Sequence, residues 1–332
     1  MDLMDYLVQK AKKSPATIVF PEGEDPVIQE AAHKLEEQGL ARPILLGHGE
    51  VVQKGTKARS DGRIPLKIID PCTSPELERY IAQYCRERDM PRSVGKRIVT
   101  QPLCFAAMMV KNEDAGGMVA GIAHPTEDVI LASELMIGFQ AGIGLASSFF
   151  VMGVPGFTGG EEGRIIFADP AVNPDPDPEQ LADIAISTAH SARDLLGWEP
   201  RVAMLSFSTR GSASHALVDK VVKATELARQ KAPDLLIDGE MQADTALFES
   251  VALQKMNSES QVAGRANILI FPDLNSGNIG AKLVQRLAGA ASYGPVLQGF
   301  ARPVSDLSRG ATAEDVVGAS LMVAVRAGIW RE

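Results

Sequence analysis

Three loops rich in hydroxyl, amide and guanidinium groups follow short apolar runs in the second half of this 332-residue chain. They are residues 206–214 (SFSTRGSAS), 273–280 (DLNSGNIG) and 306–312 (DLSRGAT). Hydroxyls, backbone amides at helix starts and arginine side chains are the groups that bind oxyanions. Because the carboxyl ends of parallel strands meet at one edge of a sheet, we expect these loops to form a site for a phosphate-like anion.

The first two loops supply the candidate binding residues. From the first loop they are Ser206, Ser208, Thr209, Arg210, Gly211 and Ser212, and from the second they are Asn275, Gly277 and Asn278. In the second loop, Ser276 or Gly277 is predicted to cap a helix whose free amides would favour an anion. The alternative for each loop, taken alone, is an ordinary turn.

The third loop carries the strongest candidates. The Arg309 guanidinium, between Ser308 and Gly310, could bind phosphate through two hydrogen bonds. Asp315 follows Thr312 by three residues, which is the spacing of a helix cap and also a plausible position for a catalytic base. Arg286 lies beside a predicted apolar stripe, so it is interpreted either as a site residue or as a surface arginine.

Composition excludes several classes of protein. With 33 basic and 42 acidic residues, the net charge of −9 argues against general nucleic-acid binding. No P-loop motif, complete dinucleotide fingerprint or zinc-ligand spacing occurs, so no metal is predicted. Three cysteines without a pairing pattern favour a cytoplasmic protein. Residues 135–160 carry no charge, but seven glycines and acidic flanks favour a buried strand and loop over a membrane span.

Short apolar runs alternate with amphipathic segments along most of the chain. Strands are predicted at 17–20, 43–47, 118–120, 201–207, 234–238, 266–271 and 295–298, and helices at about 26–39, 179–197, 215–231, 243–256 and 277–290. This alternation predicts an α/β fold with mainly parallel strands. At roughly 150 residues per domain, the length favours two domains, with a border near 140–145.

The chain is similar to the phosphate acetyltransferase (phosphotransacetylase) family in its short bacterial form, both the housekeeping and the ethanolamine-utilisation types. The matching stretches run in order through nearly the whole chain. They are FPEGEDPVIQEAA, GMVAGIAHPTED, FADPAVNPDP, RVAMLSFSTRGSA, LLIDGEMQADTAL, ANILIFPDLNSGNIGAKLVQRLA, GPVLQGFARPV and DLSRGATAEDVV.

The resemblance implies reversible acetyl transfer between coenzyme A and phosphate, with no permanently bound cofactor. It implies two three-layer αβα domains like those of isocitrate and isopropylmalate dehydrogenases, an interdomain cleft and a homodimer. Domain I would comprise residues 1–142 plus 295–332 on the coenzyme A side, and domain II residues 143–294 with the phosphate and acyl loops. The expected compartment is the cytoplasm, with the lumen of a bacterial microcompartment as the alternative.

The family's functional residues fall on matching positions. Asp315 corresponds to the proposed base, Arg309 to the essential arginine, Ser308 to the serine that stabilises the oxyanion and Arg286 to a second important arginine. Coenzyme A contacts fall on Thr126 and on Arg86, for which Arg88 is the neighbouring alternative. The chain departs from the family at Leu131, where an arginine that helps to bind coenzyme A is usual, and at Pro125, where a small hydroxyl residue is usual.

The mechanism implied is direct attack of the coenzyme A thiolate on acetyl phosphate in a ternary complex. Transfer of propionyl or butyryl groups is the closest alternative activity. A non-catalytic acyl-CoA sensor and a metal- and NAD-dependent decarboxylating dehydrogenase are further alternatives. Partners other than small-molecule substrates and a second copy of the chain are not expected.

Overall fold

The computed structural model describes residues 3–48, 65–256 and 260–329. The chain divides into two units. The first unit comprises Met1–Gly138 and Phe300–Glu332, and the second unit is Phe139–Gly299. The second unit is therefore inserted within the first. At its two ends, the Gln140 amide donates to the Gly299 carbonyl over 2.9 Å.

The first unit is built on a parallel sheet with the strand order β11-β4-β1-β2-β3. Its strands are β1 (Ala16–Phe20), β2 (Ala41–Leu46), β3 (Lys67–Ile69), β4 (Gly117–Ala120) and β11 (Val304–Asp306). Its helices are α1 (Leu3–Lys13), α2 (Pro26–Glu37), α3 (Leu77–Arg88), α4 (Arg92–Val99), α5 (Pro102–Lys111), α6 (Thr126–Met136) and α12 (Ala313–Ile329). Helices α2, α5 and α12 pack on the sheet.

Local sequence explains the first strand–helix unit. In β1, β-branched and aromatic residues place Ile18, Val19 and Phe20 in the core with no exposed surface. Helix α2 begins after Asp25, whose carboxylate accepts the Val27 amide over 2.8 Å, with Pro26 at the first helical position. The turn between them, which begins at Pro21, brings the chain past the carboxyl edge of the sheet.

The second unit is built on a six-stranded sheet with the order β10-β5-β6-β9-β7-β8. Its strands are β5 (Ser147–Gly153), β6 (Arg164–Ala168), β7 (Arg201–Leu205), β8 (Leu236–Met241), β9 (Ile268–Ile270) and β10 (Ala291–Gln298). Its helices are α7 (Pro178–Leu196), α8 (Ala216–Lys231), α9 (Ala243–Leu247), α10 (Glu249–Lys255) and α11 (Leu274–Leu287). Strands β6 to β9 pair in parallel, whereas β5 pairs antiparallel with β6 and β10.

Two sequence expectations for the second unit need comment. The uncharged stretch 135–160 ends helix α6 and forms the buried strand β5, and no described helix is long and apolar enough to cross a bilayer. The predicted caps of α11, Ser276 and Gly277, were wrong. The helix begins earlier, because the Asp273 carboxylate accepts the Ser276 amide over 2.9 Å.

Candidate active site

The segment after β11 presents Ser308 and Arg309 to solvent. Leu307 is buried and anchors the segment, while Ser308, Arg309 and Gly310 are exposed. Within the described part of the chain, the Arg309 guanidinium has no ion pair or hydrogen bond. A hydroxyl donor and an uncommitted guanidinium side by side can bind an oxyanion through charge-assisted hydrogen bonds.

Asp315 lies in the first turn of α12 and is exposed. Its Oδ2 accepts the Thr312 amide and hydroxyl, each over 2.9 Å, and the Thr312 hydroxyl accepts the Asp315 amide over 3.3 Å. This reciprocal arrangement is a capping box. The carboxylate is thus held at a fixed point, six residues from Arg309, and still faces water.

Thr126 contacts the same segment through Asp306. The Thr126 hydroxyl, at the start of α6, donates to Oδ2 of Asp306 at the end of β11. Asp306 is buried, and this burial raises the pKa of its carboxyl from 3.8 to about 6, although the Thr126 hydroxyl opposes the rise. The sequence placed Asp306 first in the third loop, but it was not predicted as a site residue.

Glu22 is a second buried carboxylate that sequence reasoning missed. It lies just after β1 and accepts hydrogen bonds from four successive amides of the loop after β4, residues 121–124. Nδ1 of His124 also lies 2.7 Å from Oε1 of Glu22. An acidic residue directly after a buried strand is a weak signal, because such turns are usually solvent-exposed.

A cavity of about 590 Å³ lies beside Glu22 at the carboxyl ends of β1, β2 and β3. Four prolines, Leu46 and Ala123 contribute apolar wall, and His48, His124 and Asp70 are among the polar groups that line it. None of the residues that line this cavity was predicted as a site residue.

In the second unit, the loop after β7 folds around Glu240, a third buried carboxylate that the sequence analysis missed. Its Oε1 accepts the Ser208 hydroxyl over 2.9 Å and the Gly211 amide over 2.7 Å. The Ser212 hydroxyl accepts the Thr209 amide over 3.0 Å. Glu240 belongs to the quoted stretch LLIDGEMQADTAL. A carboxylate next to the end of an apolar strand was the sequence signal that could have identified it as a site residue.

The other predicted residues of this loop differ in exposure. Ser208 and Thr209 are buried, and Ser206 is half-buried. Arg210, Gly211 and Ser212 are exposed. The Arg210 guanidinium donates to both Asp238 carboxylate oxygens, over 2.9 and 3.1 Å. Arg210 is therefore already paired, whereas Arg309 has no ion pair or hydrogen bond with any described residue.

The start of α11 packs closely on the loop after β6. A Cβ at Gly277 would lie 2.7 Å from the Asp169 carbonyl oxygen, so only glycine fits without a shift. The Asn278 amide donates to the Pro170 carbonyl over 2.9 Å, which leaves exposed Asn275 as the freer side chain at this helix end. Asp169 is buried and accepts the amides of Ala171 and Asn173.

The two other predicted arginines, and Leu131 where the family usually has an arginine, are exposed on helices. Arg286 is exposed in the last turn of α11, about 16 Å along the helix from Asn275 at 1.5 Å per residue. Arg86 is exposed on α3, where neighbouring Arg88 donates to the Leu135 carbonyl over 2.7 Å. Leu131 is exposed on α6.

The expectation that all three loops meet at one sheet edge was wrong, because 306–312 follows β11 in the five-stranded sheet and the other two loops follow β7 and β9 in the six-stranded sheet. The structure brings Thr126, Asp306 and the 308–315 segment together in the first unit. It brings Ser208, Thr209, Gly211 and Ser212 together around Glu240 in the second unit. Over the described residues, no group of three or more His, Cys, Asp or Glu side chains has the geometry to hold a metal ion.

Comparisons with known proteins identify the family. The model of the family described as "Phosphate acetyl/butaryl transferase" matches residues 2–324. The chain belongs to this family. As a member of the phosphate acetyl/butaryl transferase family, it is an acyltransferase.

Relatives and solved structures agree with this assignment. The chain is 44% identical over 330 residues to the phosphate acetyltransferase of Thermoanaerobacterium thermosaccharolyticum, covering 98% of this chain and 100% of that protein. It is 43% identical to the enzyme of the same name from Clostridium acetobutylicum, covering 98% and 99%. A Streptococcus pyogenes phosphotransacetylase structure superposes with a TM-score of 0.91 at 38% identity, covering 98% of each chain.

Two further structures refine the picture. The EutD phosphotransacetylase of Staphylococcus aureus superposes with a TM-score of 0.89 at 36% identity, covering 98% of each chain. A branched-chain phosphotransacylase from Enterococcus faecalis, at 16% identity and a TM-score of 0.65, shares the fold and covers 94% of this chain and 99% of that one. The α/β architecture with its mainly parallel sheets is thus that of the phosphotransacetylase structures.

Proposed function

We propose that this acyltransferase is a phosphate acetyltransferase, which moves an acetyl group reversibly between coenzyme A and phosphate. The observation that carries the proposal is the 308–315 segment. It presents a serine hydroxyl, a guanidinium that has no partner among the described residues and a fixed, exposed carboxylate, in one short segment that follows a parallel strand. These are the three kinds of group that acyl transfer to a thiol requires.

In the proposed reaction, the Asp315 carboxylate accepts the proton of the coenzyme A thiol, whose ordinary pKa lies near 8.5. The thiolate attacks the carbonyl carbon of acetyl phosphate, and the new C–S bond forms as the C–O bond to phosphate breaks. Ser308 donates to the carbonyl oxygen as negative charge develops on it, a contribution of about 3 kcal/mol. Arg309 holds the departing phosphate.

The remaining candidates are proposed as substrate-binding residues. Side-chain hydroxyl and amide groups would bind at Ser206, Ser208, Thr209, Ser212, Asn275 and Asn278. Gly211 and Gly277 would let the substrate approach the backbone closely, since their own amides already donate to Glu240 and to the Asp273 carbonyl. Thr126 and Arg86 would bind coenzyme A, and Arg286 and Arg210 would add positive charge. Arg210 would do so only by sharing its guanidinium with Asp238.

The proposed path is a ternary complex, because no bound acyl group is needed when the thiolate attacks directly. Exchange of labelled phosphate into acetyl phosphate is therefore expected only in the presence of coenzyme A. Exchange without coenzyme A would show a covalent acyl-enzyme and contradict this path.

The activity is tested by following release of free thiol from acyl-CoA in the presence of phosphate or arsenate. We expect acetyl-CoA to give the highest kcat/KM among acetyl-, propionyl- and butyryl-CoA. A preference for butyryl-CoA would favour the second candidate activity, for which the family description gives a specific reason. Binding of acyl-CoA without any turnover would instead favour the sensor.

We also propose that two copies associate through the exposed face of α11. Ile279, Leu283 and Leu287 lie four residues apart on that helix and are 56%, 52% and 82% exposed. An apolar stripe of this kind on a surface helix usually marks an interface. The proposed compartment is the cytoplasm, since Cys72, Cys85 and Cys104 are free thiols; the microcompartment lumen is the alternative.

A further inference from the structure

The loop after β4 is built around one carboxylate from elsewhere in the chain. The amides of residues 121–124 donate to Glu22 over 3.0, 3.1, 2.8 and 3.0 Å, the first two to Oε2 and the last two to Oε1. The Glu22 side chain is only 3% exposed. With Nδ1 of His124 at 2.7 Å, one buried carboxylate has five nitrogen partners on a single loop.

Convergence of successive backbone amides on one point normally creates a binding site for an external anion. From β1 the chain adds β2 and β3 on one side of the sheet, and then adds β4 and β11 on the other side of β1. The order of the strands therefore reverses between β1 and β4. Such reversals are where ligands of open α/β sheets usually bind. Here Glu22, from the turn after β1, occupies that position itself. Without a carboxylate there, these four amides, of which only that of Gly121 belongs to a buried residue, would lose their acceptor.

The same loop touches the segment that carries Ser308 and Arg309. Gly121, at φ +119°, lies so close to β11 that a Cβ there would be 2.3 Å from Oδ1 of Asp306 and 2.6 Å from the Leu307 carbonyl oxygen. At the other end of the loop, the Thr126 hydroxyl donates to Oδ2 of Asp306. The loop thus contacts the Asp306 carboxylate from both of its ends and the Leu307 backbone at Gly121.

We propose that Glu22 is a positioning residue for acyl transfer. Its carboxylate fixes the loop 121–126, the loop fixes Asp306 and Leu307, and these place Ser308 and Arg309 for the reaction. The catalytic part of this inference rests on the proposed function. The structural part, that Glu22 controls the order of the 306–310 backbone, stands on the hydrogen bonds alone.

The first test compares Glu22→Ala and Glu22→Gln with the wild-type chain. We expect Glu22→Ala to lower kcat for acetyl transfer by about 100-fold, since a displacement of about 1 Å at a reacting group has that effect. The kcat of Glu22→Gln should lie between those of Glu22→Ala and the wild type, because one amide oxygen replaces two carboxylate oxygens as acceptor. The KM for acetyl-CoA should change far less than kcat, because Thr126 is the one residue of this loop that is proposed to bind coenzyme A.

Asp114→Asn is the matched control. Asp114 is also a carboxylate of the first unit, and it accepts the Tyr80 hydroxyl and the Arg79 guanidinium rather than the loop after β4. It should leave kcat within about threefold of wild type. An equal loss of kcat in Asp114→Asn and Glu22→Gln would mean that Glu22 acts only through general stability, and would overturn the proposal.

A double-mutant cycle tests the path from Glu22 to Asp306. Thr126→Val removes the hydroxyl that binds Asp306 and keeps the side-chain volume. If Glu22 acts through this loop, Glu22→Gln/Thr126→Val should lose far less kcat than the product of the two single losses. Fully multiplicative losses would show that the two residues act independently, and would refute the path.

Amide hydrogen exchange separates this inference from the proposed activity. Glu22→Ala and Glu22→Gln should raise exchange in residues 121–126 and also in 306–310, and leave strands β7 and β9 unchanged. Exchange that rises at 121–126 alone would refute the coupling, whatever the activity. If the wild-type chain shows no acyl transfer, the proposed function fails, and this measurement still decides whether Glu22 orders the 306–310 segment.

Discussion

Asp315 has two duties that a single substitution can separate. Its Oδ2 accepts both Thr312 donors in the capping box, and the same exposed carboxylate is the proposed base. We expect Asp315→Asn to lower kcat by 100-fold or more, in the range of roughly 10²–10⁴ that general base catalysis contributes. The melting temperature should hardly change, because an amide oxygen can still cap the helix. Steady-state kinetics and thermal unfolding measure the two effects.

Thr312→Ala is the complementary control for that prediction. It removes one side of the capping box and leaves the Asp315 carboxylate in place, so it should cost about 1 kcal/mol of stability and leave kcat within about threefold. If Asp315→Asn keeps kcat within about threefold of wild type, Asp315 is a helix cap and not the base.

Asp306 gives a stability prediction with a defined pH dependence. Its carboxyl has a pKa of about 6 in the folded chain against 3.8 ordinarily, because burial disfavours the charged form. The folded state therefore binds the proton more tightly, and its stability falls as pH rises from about 4 to about 6. Asp306→Asn carries no charge and should escape this loss, which amounts to at most about 3 kcal/mol.

The measurement is the difference in melting temperature between Asp306→Asn and wild type across pH. The difference should be near zero at pH 4, grow through pH 5 and 6, and reach a plateau of several degrees above pH 7. A difference that does not vary with pH would show that Asp306 titrates normally, so that its burial has no electrostatic cost.

At the scale of elements, the loop after β7 depends on a strand that the chain reaches later. Glu240 on β8 accepts hydrogen bonds from Ser208 and Gly211, so Glu240→Gln should weaken the hydrogen bonds that hold this loop in place. Loss of one hydrogen bond to a charged group costs roughly 1.5–3 kcal/mol. We expect the KM for phosphate to rise about tenfold and the KM for acetyl-CoA to stay within about threefold.

Glu249→Gln is the control for the phosphate prediction. Glu249 is an exposed carboxylate of the same unit, paired with Arg265 on the surface, and surface pairs contribute little. Its KM values should match wild type in a thiol-release assay at varied phosphate. A Glu240→Gln variant whose KM for phosphate is unchanged would remove the loop 206–212 from the phosphate site.

Sequence patterns predicted the elements better than the contacts between them. The predicted strands at 17–20, 201–207 and 266–271 correspond to β1, β7 and β9. Short runs of β-branched and apolar residues between turn signals are typical of buried strands. The predicted apolar stripe on α11 is present, but its spacing did not indicate that Leu283 and Leu287 are exposed. Periodicity reports an apolar face without saying what covers it.

In the candidate site, too, residues of one local segment were predicted, and residues that depend on distant partners were not. Ser308, Arg309 and Asp315 were predicted because they share one short segment, and their roles came from the family resemblance. Glu22 and Asp306 were missed because their partners lie 99 or more residues away in the chain. No local pattern distinguishes a buried carboxylate that organises a loop from an exposed one in a turn.

At the scale of the whole molecule, the exposed face of α11 predicts the oligomeric state. Leu283→Glu places a charge in the middle of the apolar stripe and should convert a dimer into monomers. Sedimentation equilibrium at micromolar concentrations measures this. Leu253→Glu, at a leucine of α10 that is 66% exposed, is the matched control and should leave the dimer intact. A monomeric wild-type chain would contradict the proposal directly.

The insertion of the second unit within the first has a consequence for biosynthesis. Strand β11 and helix α12, which complete the first sheet and pack on β1 and β4, are made after residues 139–299. The growing polypeptide must therefore keep an unfinished sheet beside the ribosome while a complete unit forms downstream. During that interval the free edge of β4 and the uncovered face of β1 are open to chaperones and to aggregation.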